Sequence, residues 1–165
     1  MALSYSGGMA RWNALAMAVG IGAVSGLRSM MGLAAVSQAA SRRMLRLREP
    51  ATEFLASEMS ANILAALAAA ELVADKLPFT PDRTKPPSLM LRAASGALCG
   101  AAVASAMRES AVTGAILGSA AAIGAAFAGR ELRRVGHRNK WPDTPVALIE
   151  DALAMSGALA VVRSA

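Results

Sequence analysis

Residues 12–40 read WNALAMAVGIGAVSGLRSMMGLAAVSQAA, and this stretch decides the fold class. It holds 29 residues, more than the roughly 20 that one simple membrane crossing needs. A single charge, Arg28, interrupts it, just after Ser25-Gly26-Leu27. The expectation is two half-helices meeting at Gly26-Leu27-Arg28-Ser29, or one strongly tilted helix. Broken helices at membrane depth are tolerated only where protein or water receives the freed backbone groups.

The remaining chain has the same character. Of 165 residues 55% are hydrophobic, 4% aromatic and 17% charged, whereas a soluble domain carries about a quarter charged residues. Mean hydropathy is +0.44. The apolar residues fall in long runs rather than alternating with polar ones, which makes lipid the natural solvent. Further apolar segments follow at Met59 to Leu77, Ser88 to Met107, Ala111 to Gly129 and Val146 to Val162. Thr144-Pro145 forms the capping start of the last. The sequence predicts an all-α, polytopic helical membrane bundle with about four to five apolar segments, a broken first helix and a re-entrant segment. Residues 1–165 form one domain, with no room for a separate soluble module.

Basic residues cluster beside these spans. Four arginines lie between Arg42 and Arg48, and five Arg/Lys residues between Arg130 and Lys140. Such clusters suit anionic lipid headgroups and fix topology. They lack the aromatic interleaving of single-strand binders, so the net charge of +6 does not point to nucleic acid. Both clusters favour the cytoplasmic side, yet three apolar segments separate them. The helix ending at Lys76 and the segment with Arg92 are therefore the candidates for re-entry. The loop joining them has four prolines between Leu77 and Pro87, which make it rigid. The expected location is a membrane, crossed several times.

Small residues crowd the spans. Gly22/Gly26, Gly96/Gly100 and Gly114/Gly118 are each G-x-x-x-G, a spacing that lets helix backbones approach closely. These faces serve packing within the bundle or a homo-oligomer. Leu27-Arg28-Ser29-Met30-Met31-Gly32 and Leu91-Arg92-Ala93-Ala94-Ser95-Gly96 share L-R-x-x-x-G, and an acidic helix follows each. This outlines a weak internal repeat, about 12–77 and 88–162, of the sort that places sites at a repeat interface.

Ionisable groups inside apolar spans mark a site by default. Here they are Arg28, Glu71, Asp75, Arg92, Glu150 and Asp151, with Asp82 and Arg83 in the proline-rich loop. Glu71 and Asp75 share a helix face through their i, i+4 spacing, while Glu150 and Asp151 point about 100° apart. An unpaired ion in hydrocarbon costs several kcal/mol. The two arginines are thus expected to pair with the carboxylates in one intramembrane cluster. Such a cluster either binds an ion or solute or only fixes helix register. In that loop Asp82 is expected to cap a turn and Arg83 to meet a headgroup phosphate. Cys99 is the only cysteine and His137 the only histidine, so no metal site or cofactor is expected. No P-loop, G-x-S-x-G, H-E-x-x-H or G-x-G-x-x-G pattern supports a catalytic residue.

The combination of Ser25-Gly26-Leu27-Arg28-Ser29, Glu71-Leu72-Val73-Ala74-Asp75-Lys76-Leu77-Pro78, Pro81-Asp82-Arg83-Thr84, Arg92-x-x-Ser95-Gly96-Ala97-Leu98 and Ala147-Leu148-x-Glu150-Asp151-Ala152-Leu153-Ala154 resembles a bacterial family of small integral membrane proteins, domain of unknown function 4126. The resemblance covers about Val19 to Val162. It implies an all-helical inner-membrane protein and carries no activity. Three functions stay open on the residues alone. One is transport or permeation of a small solute or ion; the others are a non-catalytic scaffold with structural salt bridges, and lipid-phosphate binding or processing.

Overall fold

In a computed structural model that describes residues 3–74, 86–138 and 151–160, the first apolar stretch is broken at a single residue. Helix α1 (Leu3–Leu27) stops, Arg28 takes an extended conformation (φ −140°, ψ 107°), and α2 (Ser29–Ser41) begins. The other elements are α3 (Pro50–Glu53), a 3-10 turn (Phe54–Ala56), α4 (Glu58–Ala74), α5 (Pro86–Ala106), α6 (Ala111–Arg138) and α7 (Asp151–Ala160). Every described element is helical.

Glycine contacts fix the arrangement. A side chain at Gly22 would strike the backbone of Gly118, and one at Gly26 the backbone of Ala122, so α1 and α6 run alongside in the same direction. Gly100 meets Gly114 and Gly96 meets Gly118, so α5 runs the opposite way. All six glycines of the G-x-x-x-G pairs are thus used inside the chain, where close backbone approach maximises dispersion contact. Arg11 lies 3.9 Å from Glu109, which puts the start of α1 at the α5–α6 turn.

The chain then reverses at Arg28. Gly32 packs against Ser25 of α1 and Cys99 of α5, and the Ser95 hydroxyl donates to the Ser29 carbonyl. Helix α2 therefore doubles back alongside α5 toward the α5–α6 turn. Leu45 and Leu55 continue the same core cluster beyond the end of α2. Helix α4 returns along α2: Gln38 donates to the Ala61 carbonyl at one end, and Glu71 reaches Ser29 at the other. Ser57 separates α4 from the preceding short helices and caps it, its hydroxyl accepting from the Ser60 amide at 3.0 Å. Helix α7 runs from Arg28 back along α1 and α2, with Gly157 against Val24.

Two helices are long and apolar enough to cross a membrane, Pro86–Ala106 and Ala111–Val135. A third counts if Pro50–Ala56 and Glu58–Ala74, bent by 78°, form one span. The four to five apolar segments expected from sequence thus reduce to two or three candidate crossings among the described residues. The first segment is divided at Arg28, and the last is described only from Asp151 to Ala160. Exposed apolar stripes on α4 (Met59, Ile63, Leu67) and α6 (Val112, Ile116, Ile123, Phe127) recur at helical spacing, as lipid-facing surfaces do.

Helix α6 outruns its sequence reading. It continues through Arg130 to Arg138, residues assigned to a basic segment after the helix. Arg, Glu and Leu are strong helix formers and no Pro breaks the run, so the helix persists. At 28 residues it is roughly 42 Å long, which carries its basic end far beyond the core. The basic clusters consequently lie toward opposite ends of the bundle. Arg42–Arg48 are near the α5–α6 turn, and Arg130–Arg138 at the far end. Of the proline-rich loop, the proposed joint of a re-entrant pair, residues 77–85 lie outside the described residues, while Pro86 and Pro87 form the first turn of α5.

Candidate functional site: a broken helix between two ion pairs

The break at Arg28 exposes two sets of backbone groups that a continuous helix would satisfy. The last carbonyls of α1 need donors, and the first amides of α2 need acceptors. In an apolar surrounding each orphan would cost several kcal/mol.

The α1 end is met by Arg92. Its Nη1 donates to the carbonyls of Gly26 and Leu27, each at 2.7 Å. The α2 end is met by Glu71. Its Oε1 accepts from the Ser29 amide at 2.9 Å and the Ser29 hydroxyl at 2.8 Å, and its Oε2 accepts from the Met30 amide at 2.8 Å. A cation thus sits at a helix C-terminus and an anion at a helix N-terminus, the two placements that the helix dipole favours. Arg92 and Glu71 also face each other, Nη2 to Oε1 at 3.7 Å.

Arg28 itself is 1% exposed, the largest fully buried side chain. Its Nε donates to Asp151 Oδ1 at 2.9 Å, its Nη2 to the same oxygen, and its Nη1 to the Glu71 carbonyl at 3.5 Å. Asp151 lies on α7 and is itself buried, so its carboxylate is held against Arg28 away from solvent. Ser88 and Ser95 complete the shell: Arg92 Nε donates to the Ser88 hydroxyl at 3.4 Å, and Ser95 to the Ser29 carbonyl. Among the described residues, no buried side-chain nitrogen or oxygen lacks a hydrogen-bond partner.

Of the eight residues singled out from sequence, four meet here: Arg28, Glu71, Arg92 and Asp151. Asp75, Asp82, Arg83 and Glu150 lie outside the described residues. The pairing crosses the halves outlined by the L-R-x-x-x-G motifs. Arg28 of the first half binds Asp151 of the second, and Arg92 of the second binds Glu71 of the first. Sequence reasoning missed that the charges answer backbone as well as each other. It also missed Ser29, Ser88 and Ser95, whose signal was only that serines recur beside both arginines.

The helices that follow the two motifs end alike. At the end of α2, the Arg43 amide donates to Ala40 and the Met44 amide to Ala39. At the end of α5, the Arg108 amide donates to Ser105 and the Glu109 amide to Ala104. Arg43 (φ 60°) and Arg108 (φ 66°) both take the left-handed conformation that such helix ends normally give to glycine.

The domain of unknown function DUF4126 matches residues 15–164. The chain belongs to this family. The match covers α2 to α7 and all of α1 from Leu15 onward, so the ion-paired break lies well inside the DUF4126 domain. No curated protein and no solved structure matches this DUF4126 chain.

Proposed function

We propose that the protein is a multi-pass inner-membrane scaffold or assembly subunit of bacterial origin, in which the buried charges serve structure rather than transport or catalysis. One observation carries this: the two ends of the broken helix and the charges around them satisfy one another. In a transporter with discontinuous helices, the free helix ends point at substrate or ion. Here Arg92 and Glu71 fill both positions with the chain's own side chains. Anionic headgroups at the two basic ends are the proposed lipid partners, and no nucleic acid is invoked. A homo-oligomer needs surfaces other than the glycine pairs, since those face neighbours within the chain.

Reconstitution tests the proposal. Proteoliposomes of the full chain should show no proton or ion flux above protein-free vesicles. Glu71→Gln and Arg92→Met should lower thermal stability without altering any solute gradient. A flux that depends on pH or on an ion, and that Glu71→Gln removes while the fold persists, would overturn the scaffold reading in favour of transport.

A further inference from the structure

A groove of about 440 Å³ runs between α2 and α7, separate from the ion pairs. Met31, Ala35, Ala39, Met155 and Leu159 line it, and Arg42 stands at the end of α2. Its volume lies within the range of about 300–1,000 Å³ typical of small-molecule sites. Along α2 the eleven helical steps from Met31 to Arg42 rise roughly 16 Å, close to half of a hydrocarbon core about 30 Å thick. The walls are apolar apart from Gln38, whose amide already donates to the Ala61 carbonyl, and they are adaptable, methionine being able to shape itself to a flexible occupant. The charge is confined to one end. Arg42 is exposed, Arg43, Arg46 and Arg48 follow it closely, and none of the four meets a carboxylate among the described residues.

We propose that this groove binds one acyl chain of an anionic phospholipid whose headgroup phosphate is held by Arg42. The geometry commits to a lipid rather than a free anion, because the site is an apolar channel one leaflet deep with cations at its mouth only. Basic pockets between membrane helices take anionic headgroups by this same combination. The site rests on the reading of the chain as a membrane protein with anionic lipid partners, but it shares none of the side chains that close the ion-paired break, so loss of lipid preference in a folded protein would leave the scaffold reading standing.

The experiment uses the full chain in phosphatidylcholine vesicles that carry a trace of acyl-chain spin-labelled phosphatidylglycerol, compared with spin-labelled phosphatidylcholine. Electron paramagnetic resonance reads the motionally restricted fraction. The wild type should restrict the anionic label with about fivefold preference. Arg42→Gln, at an exposed position that leaves packing intact, should abolish the preference. Arg46→Gln, outside the groove, should leave most of it. Ala35→Phe fills the channel and should remove the restricted component for both labels down to the level of ordinary boundary lipid. Equal restriction of the two labels by the wild type would overturn the site. So would equal losses in Arg42→Gln and Arg46→Gln, which would mean diffuse surface charge. Persistence of the component in a folded Ala35→Phe protein would do the same; if that variant fails to fold, the contrast between the two arginine variants decides.

Discussion

Arg28 is the residue at which the first apolar stretch stops being helical, and its position sets the energetics of the site. A buried pair contributes little net stability over an apolar pair of similar volume, but removing one member leaves an uncompensated charge. Arg28→Met should therefore destabilise the protein by about 3–5 kcal/mol, and Asp151→Leu by a similar amount. The double variant Arg28→Met/Asp151→Leu should recover most of that loss, as equilibrium unfolding in detergent would measure. Additive losses would show that the pair is not the unit. The partner could not be read from sequence. Glu71 and Asp75 are nearer along the chain than Asp151, yet Arg28 takes Asp151 through its side chain and meets Glu71 at the backbone carbonyl. Glu71 works instead as a carboxylate at the head of α2. Glu71→Gln keeps an acceptor but loses the charge, and should cost about 1 kcal/mol. Glu71→Ala, which strands two amides and a hydroxyl, should cost clearly more.

Among the elements, α1, α5 and α6 pack backbone to backbone, and their glycines differ in what they tolerate. Gly118 faces α1 and α5 at once, so Gly118→Leu should push the three helices apart and destabilise by more than about 3 kcal/mol. Gly124, on the same helix, has open space where a side chain would stand. Gly124→Ala should be neutral or raise stability by up to about 1 kcal/mol, through helix propensity alone. Thermal melts of the two variants give the contrast directly. Much at this scale was legible beforehand. The single charge inside an apolar run placed the break, and the G-x-x-x-G spacing marked the contact faces, because both are local patterns. The ends of α2 and α5 were legible to within one residue, but their left-handed geometry was not. Glycine would have announced a left-handed helix end, but arginine occupies both positions. Arg43→Gly should relieve the left-handed conformation, worth up to about 1 kcal/mol, and so raise the melting temperature.

For the whole molecule, the order of helices predicts which surfaces share a side of the membrane. Arg11, Arg46 and Glu109 lie toward the α5–α6 turn and Arg134 lies toward the far end. Single cysteines at Arg46 and Glu109 should therefore react with an impermeant maleimide from one side of sealed vesicles, and one at Arg134 from the other. Native Cys99 is wholly buried and should stay unlabelled until the protein unfolds. The sequence could not supply this order. Arginine counts are high at both ends, and the contacts that fix direction join residues far apart in the chain, which periodicity does not record. One of those long-range contacts has a consequence for how the protein is made. Arg28 and its carboxylate are 123 residues apart. At about 5–20 residues per second, a ribosome needs roughly 6–25 s after placing the arginine to deliver the aspartate. For that interval the nascent hairpin lacks the carboxylate that Arg28 meets in the finished fold, so final burial of the break must await the last helix. Chains truncated before Asp151 should accumulate as partly inserted species open to membrane proteases, and completion of the carboxyl end becomes the step that licenses the fold.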